Sequence, residues 1–153
     1  MIDIVKNRPQ VFDILQKLQA TDIAQFGLMT PQHMIEHLSI LVRVSNGKMP
    51  QALQIPEEKA AQTKQFVIYS ENDLPVGFKA PILPKNELLP LIFPDLPSAI
   101  ARLEKELADF DAFFAQNPSE KPINPTMGAL TKQEWIVFHN KHFKHHFKQF
   151  NLL

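Results

Sequence analysis

Apolar residues recur at helical rather than strand spacing along most of this chain, and one proline-rich stretch breaks the pattern. Residues 9–20 (PQVFDILQKLQA) place Val11, Ile14, Leu15 and Leu18 three and four apart, with Pro9 acceptable in a first turn, which predicts an opening helix. Thr30 followed by Pro31 predicts the N-cap and first position of a second helix, whose end falls near Asn46-Gly47. Residues 57–68 (EEKAAQTKQFVI) predict a shorter helix. From Pro75 to Pro97 six prolines exclude long helices and central strands. A long irregular excursion is expected there, of the kind that covers a site or carries an interaction surface. Helix is predicted again from Ser98, where Ile100, Leu103, Leu107, Phe110 and Phe114 keep one stripe up to Asn117-Pro118. After the loop SEKPINPTMGAL, Thr131-x-x-Glu134 is a capping-box signature that opens the last helix. Period-two alternation is scarcely visible. The pattern therefore predicts an all-α fold, a bundle of four principal helices with a Pro-rich irregular insertion between the middle ones, in a single domain spanning residues 1–153.

The faces of these helices place the histidines. At about 100° per residue, with His139 as zero, Trp135, His142, His146, Phe150 and Phe143 fall within roughly 60° on either side. Lys141, Lys144 and Lys148 fall on the opposite side of the helix, which marks the face toward solvent, and His145 sits toward a flank. On the second helix His33, His37, Ile40, Leu41 and Val44 share an arc of roughly 100°. Both sets of imidazoles are expected to point into the bundle.

Composition narrows the function. Lysine plus arginine and aspartate plus glutamate number 16 each, so the formal net charge is zero and the basic face that nucleic acid requires is not indicated. The fullest apolar run, LSILVRVS, is interrupted by Arg43 and falls far short of the roughly 20 residues of a membrane span. The first residues carry Asp3 and lack the apolar core of a signal peptide, so a cytoplasmic location is the expectation. The chain has no cysteine, which removes disulfides, thiolate ligands and a cysteine nucleophile.

Histidine is what remains as candidate chemistry. The six histidines lie in two short segments, His33 and His37 in PQHMIEHL and His139, His142, His145 and His146 in EWIVFHNKHFKHHFKQF. Neutral imidazole is the commonest protein ligand for transition metals, and residues four apart on a helix share a face. An inward His142–His146 pair joined by a histidine from the second helix would make a three-nitrogen metal site. Core histidines satisfied by backbone or carboxylate are the competing explanation, and spacing alone leaves both open. Of the nearby acids, Glu134 could orient a ligand, whereas Glu36, about 100° around the helix from His37, is expected to face solvent or the cap side.

The segments MTPQHMIEHL and NPTMGALTKQEWIVFHNKHFKHHFKQF resemble a DinB-related domain family of unknown function, within the DinB-like (YfiT-like) metal-binding four-helix bundles. The resemblance covers essentially the whole chain. It rests on a methionine three residues before a helix-two histidine and on a Trp-initiated last helix ending H-x-x-x-H-x-x-Q-F. It implies that His37, His142 and His146 bind a divalent metal, zinc or nickel. Where relatives often read H-R-G-Q, this chain has HFKQ, which puts substrate contacts carried over from the family in doubt. His33 and His139, without ligand counterparts in that pattern, are expected to pack, line the pocket or act behind the ligands, as are Trp135 and Gln149. The resemblance further implies an enzyme that transfers a low-molecular-weight thiol to a small electrophilic substrate, and a tendency to form homodimers. A non-catalytic metal- or ligand-binding bundle with a stress-related or regulatory role, and a metal-dependent hydrolase, are the alternatives. The Pro-rich stretch 75–97, with Phe78, Ile82, Leu83 and Phe93, is expected either to close over the metal end, to pack along the outside or to mediate dimer contacts.

Overall fold

In the computed structural model, which describes residues 2–78 and 87–153, five helices and one two-stranded ladder follow in the order α1 (Arg8–Leu15), α2 (Pro31–Ser45), α3 (Glu57–Ile68), α4 (Leu96–Gln116), β1 (Ile123–Asn124), β2 (Gly128–Ala129) and α5 (Lys132–Gln149). The fold is mostly helical, and the small antiparallel β1–β2 ladder corrects the all-α expectation. That ladder is too short to show alternation. The Asn124 side chain makes it by accepting from the Thr126 amide at 2.9 Å, while Gly128 takes φ +79° in the turn. Among the described residues no helix is long and apolar enough to cross a membrane.

Local chemistry sets the helix ends. Thr30 caps α2 by accepting from the His33 amide, and Pro31 occupies its first turn. Asn46 closes it, followed by Gly47 at φ +82°, where an added Cβ would lie 2.7 Å from the Phe113 ring on α4. The α4 N-terminus corrects the reading from Ser98, because Asp95 caps the helix by accepting from the Ser98 amide at 2.8 Å. Leu96 and Pro97 therefore form the first turn, where a proline costs no hydrogen bond. At the other end of the chain α1 stops at Leu15, five residues short of expectation. The chain tightens through Lys17 N–Ile14 O and Leu18 N–Leu15 O bonds, and the Asp22 carboxylate takes the Gln19 amide. Leu18 still reaches the core from that turn.

α2 packs chiefly along α4 and also meets α5, so its buried face looks toward the α5 aromatic residues. Trp135, Phe143 and Phe147 from α5, Phe110 and Phe114 from α4, and Leu38 and Leu41 from α2 are all at most 2% exposed. Below them, Glu106 on α4 accepts from Asn46 Nδ2 at 2.9 Å and pairs with Lys48 at 3.1 Å and Arg102 at 2.9 Å, which fastens the end of α2 to α4. This frame holds α2 and α5 side by side with their histidines facing.

Candidate metal centre

His37 comes from the middle of α2, and His142 and His146 lie one turn apart on α5. Their rings meet edge to face with centroids 4.7–4.9 Å apart. The Nε2 atoms of His37 and His142 are 2.9 Å apart, and those of His142 and His146 are 3.1 Å apart. One ligand atom from each ring lies within 4.8 Å of the others, and all three side chains are buried. Nitrogens bound to a tetrahedral zinc at about 2.0–2.1 Å would sit roughly 3.3 Å from one another, so the spacing suits a shared ion.

The placement of protons strengthens that fit. The Gln149 amide is oriented by its own bonds: Nε2 donates to the Phe26 carbonyl at 3.0 Å, which leaves Oε1 to accept from His146 Nδ1–H at 2.7 Å. Neutral His146 therefore carries its proton on Nδ1 and presents a bare lone pair at Nε2. The contact with His142 then needs a proton on His142 Nε2, and a nitrogen so protonated cannot also accept from His37. No arrangement of protons on three neutral rings gives each contact a hydrogen bond of its own; a single N–H on His142 would have to be split between two neighbours. Adding a proton is no remedy, because burial drives all three away from the charged form. His37 and His142 fall well below 6.5 and His146 falls to about 4, with nearby histidines adding repulsion. The Nδ1 atoms of His37 and His142 are buried without a hydrogen-bond partner among the described residues, so the polar contacts of these two rings lie at Nε2. A divalent cation among the three Nε2 lone pairs resolves the conflict, and the donor set suits such an ion.

Gln149 acts on the cluster through His146, fixing both its tautomer and its plane. Replacing it by alanine is expected to weaken zinc binding about 10–100-fold in a competition titration, the usual cost of losing such a partner.

The remaining histidines divide. His139 is fully buried, stacks on Trp135 at a centroid distance of 5.3 Å, and has its Nε2 2.8 Å from Ser45 Oγ. Desolvation alone lowers its pKa to about 3. It is a packing residue outside the triad, and Trp135, whose indole N–H donates to the Pro122 carbonyl at 3.1 Å, supports it. His139→Phe should retain stoichiometric metal by elemental analysis while costing about 1–2 kcal/mol in urea unfolding, the worth of one buried hydrogen bond. His33 is half-buried, paired through Nδ1 with Thr30 Oγ1 at 2.6 Å, and lines a cavity next to the triad. His145 lines the same cavity, with Nδ1 3.4 Å from the Leu74 carbonyl.

The two acids do other work than orienting ligands. Glu36 is buried, contrary to the solvent-facing expectation, and accepts from the Ile92 amide at 2.6 Å and from Gln32 Nε2 at 2.9 Å. Its carboxylate ties the Pro-rich stretch to α2 one residue from His37, a link across 56 positions that helical angles could not reveal. Glu134 completes the α5 capping box and accepts from Tyr69 at 2.6 Å, with Lys64 at 3.0 Å; burial opposes its charge, but these partners hold the carboxyl at about 2.

The cavity measures about 440 Å³ and reaches His37 and His146 from one side. Its lining includes Val76, Phe78, Leu88 and Ile92, so described parts of the Pro-rich stretch border the same cavity as His37 and His146; Ile82 and Leu83 fall outside the described residues. Over residues 77–152, just under half of the chain, the sequence is similar to a family described as a protein of unknown function (DUF1569). The matched span takes in α4, the hairpin and α5 with His142 and His146, and stops short of His37. No curated protein and no solved structure matches the chain.

Proposed function

We propose that this chain is a single-domain DinB-like four-helix-bundle protein that binds zinc or nickel through His37, His142 and His146 and transfers a low-molecular-weight thiol to a small electrophile. The observation that carries the reading is the convergence of three buried Nε2 atoms, two of which border a cavity large enough for a substrate. Sites with only three protein ligands and access to a pocket are typical of catalytic rather than structural ions. When bound, such an ion supplies Lewis acidity and favours the deprotonated form of a thiol that approaches it.

The protein's own residues supply the rest. Gln149 keeps His146 in its donor tautomer, α2 and α5 hold the three rings at fixed separation, and the Phe138 ring, stacked on His142 at 5.1 Å, shields the side away from the cavity. His33 and His145 stand at the cavity wall as acceptors for the proton that a thiol gives up as it becomes the attacking thiolate.

The test is turnover by zinc- or nickel-loaded protein across a panel of thiols paired with electrophiles, against the chelator-stripped protein. Thiol consumption that appears only with metal is the expected result. A loaded protein that binds thiols yet turns over none of the panel would replace the enzymatic reading with that of a ligand-binding bundle. Metal-dependent ester or amide cleavage without thiol would replace it with a hydrolase.

A further inference from the structure

We infer that the cavity beside the triad takes a small, predominantly hydrophobic molecule whose body carries no negative charge, and which presents one metal-ligating atom to the His37–His146 end. The last clause rests on the metal reading above; the chemical class of the occupant rests on the cavity wall alone.

Three features of the wall argue for this class. Most of its surface is hydrocarbon, to which Phe26, Met29, Ile40, Val76, Phe78 and Leu89 contribute. The mouth is apolar as well, since Leu28 is 63% exposed, Val76 71% and Ile92 66%, large side chains gathered where a hydrophobic ligand would enter.

The second feature is that most polar groups of the wall are already engaged, His33 and His145 each committing one of their two ring nitrogens. Glu36 accepts from the Ile92 amide and Gln32, Gln149 is occupied by His146 and Phe26, and His33 and His145 each use Nδ1 within the protein. A ligand rich in hydroxyls or amides would lose its water bonds and find few replacements, which is costly in such surroundings.

The third feature is the sign of the charge. Among the described lining residues the permanent charges are the carboxylates Glu36 and Glu87, with no lysine or arginine beside them. Away from the metal end, a carboxylate, sulfonate or phosphate on the ligand would meet like charge and no lysine or arginine among the described lining residues. The volume, about 440 Å³, lies in the usual small-molecule range of about 300–1,000 Å³.

A matched pair of dyes tests the class without needing a metal. N-phenyl-1-naphthylamine and 8-anilinonaphthalene-1-sulfonate share the same ring system and differ by one sulfonate. Titrated into chelator-stripped protein, the neutral dye is expected to bind at least about tenfold more tightly, since the sulfonate must be buried unpaired. Ile40→Lys, which places a cation in the cavity, should reverse that preference. Leu28→Lys, on the exposed rim, should shift it in the same direction and serves if the first variant does not fold. Equal or tighter binding of the sulfonate to the wild type, no binding of either dye, or a preference untouched by both lysine variants would overturn the inference.

Cobalt(II) separates this result from the metal reading. In cobalt-loaded protein, benzyl mercaptan should raise a thiolate-to-cobalt absorption band at about one-tenth or less of the concentration that thioglycolate needs. A protein that takes up no cobalt would sink the triad as a metal site while the dye pair still decides the cavity. Thioglycolate matching benzyl mercaptan would sink the inference while the triad stands.

Discussion

Replacing His142 by alanine is expected to take the bound metal from about one ion per chain to almost none, as read by elemental analysis after dialysis against trace zinc. His142 is the member whose Nε2 touches both partners, at 2.9 and 3.1 Å, so its loss leaves two nitrogens that no longer share a neighbour. The effect must exceed the about 10–100-fold expected for Gln149→Ala, because a ligand is lost rather than the group that orients one. Stability supplies a second readout. An ion present at a thousandfold excess over its dissociation constant stabilises the folded chain by about 4 kcal/mol, or roughly 8–16 °C in melting temperature for a domain of this size. Wild type should show that rise with zinc, and His142→Ala should show none. In metal-free protein the variant should cost less than the about 2–5 kcal/mol of a large-to-small core change, since it also removes two contacts that have at best one proton between them. Full metal occupancy in His142→Ala, or a wild-type melting temperature indifferent to zinc and nickel, would remove the basis of the proposed site.

Much of this site can be read from the chain because helical geometry is regular. Once Thr30-Pro31 and Thr131-x-x-Glu134 fix where α2 and α5 begin, a constant rotation per residue tells which histidines share the face opposite Lys144 and Lys148. The same arithmetic has no access to partners far away in sequence. Glu36 lies off the histidine face of α2 and so reads as solvent-facing, yet the amides of Ile92 and Phe93 reach back to it and bury it. The orientation of the Gln149 amide depends on the Phe26 carbonyl, 123 positions away, and only that bond reveals which nitrogen of His146 is free. The α4 start escapes for a local reason. A run of prolines reads as a breaker until Asp95 is recognised as the cap that makes Pro97 harmless. The separation of His139 from the triad is equally unreadable, because Ser45, its partner, lies 94 positions away on α2.

Mild acid should unfold the metal-free protein cooperatively between about pH 6.5 and pH 4.5, a range in which most domains of ordinary composition remain folded. His37, His139, His142 and His146 are buried as neutral rings, and desolvation is the largest cause of the lowered pKa in each. In the unfolded chain they titrate near 6.5, whereas folded His146 does so only at about 4 and His139 at about 3. The unfolded state therefore binds more protons throughout this window. Stability is full above pH 6.5 and is lost as pH falls. At about pH 5 His139 and His146 each cost the folded state about 2 kcal/mol, and His37 and His142 act in the same direction. Two such rings already consume a large share of the stability of a typical domain, about 5–15 kcal/mol. The window identifies the cause, because the carboxyls of Glu134 and Asp109, held at about 2 by their partners, act in the same direction only at lower pH. Far-UV circular dichroism should place the metal-free midpoint at about pH 5, with an uptake of at least about two protons on unfolding. His139→Phe should remove about one of those protons, and zinc should move the midpoint downward because the ion binds only the folded rings. A metal-free protein that stays folded at about pH 4.5, or an acid transition unchanged by His139→Phe, would mean that these rings are hydrated rather than buried, and the lone-pair conflict inferred at the triad would lose its premise.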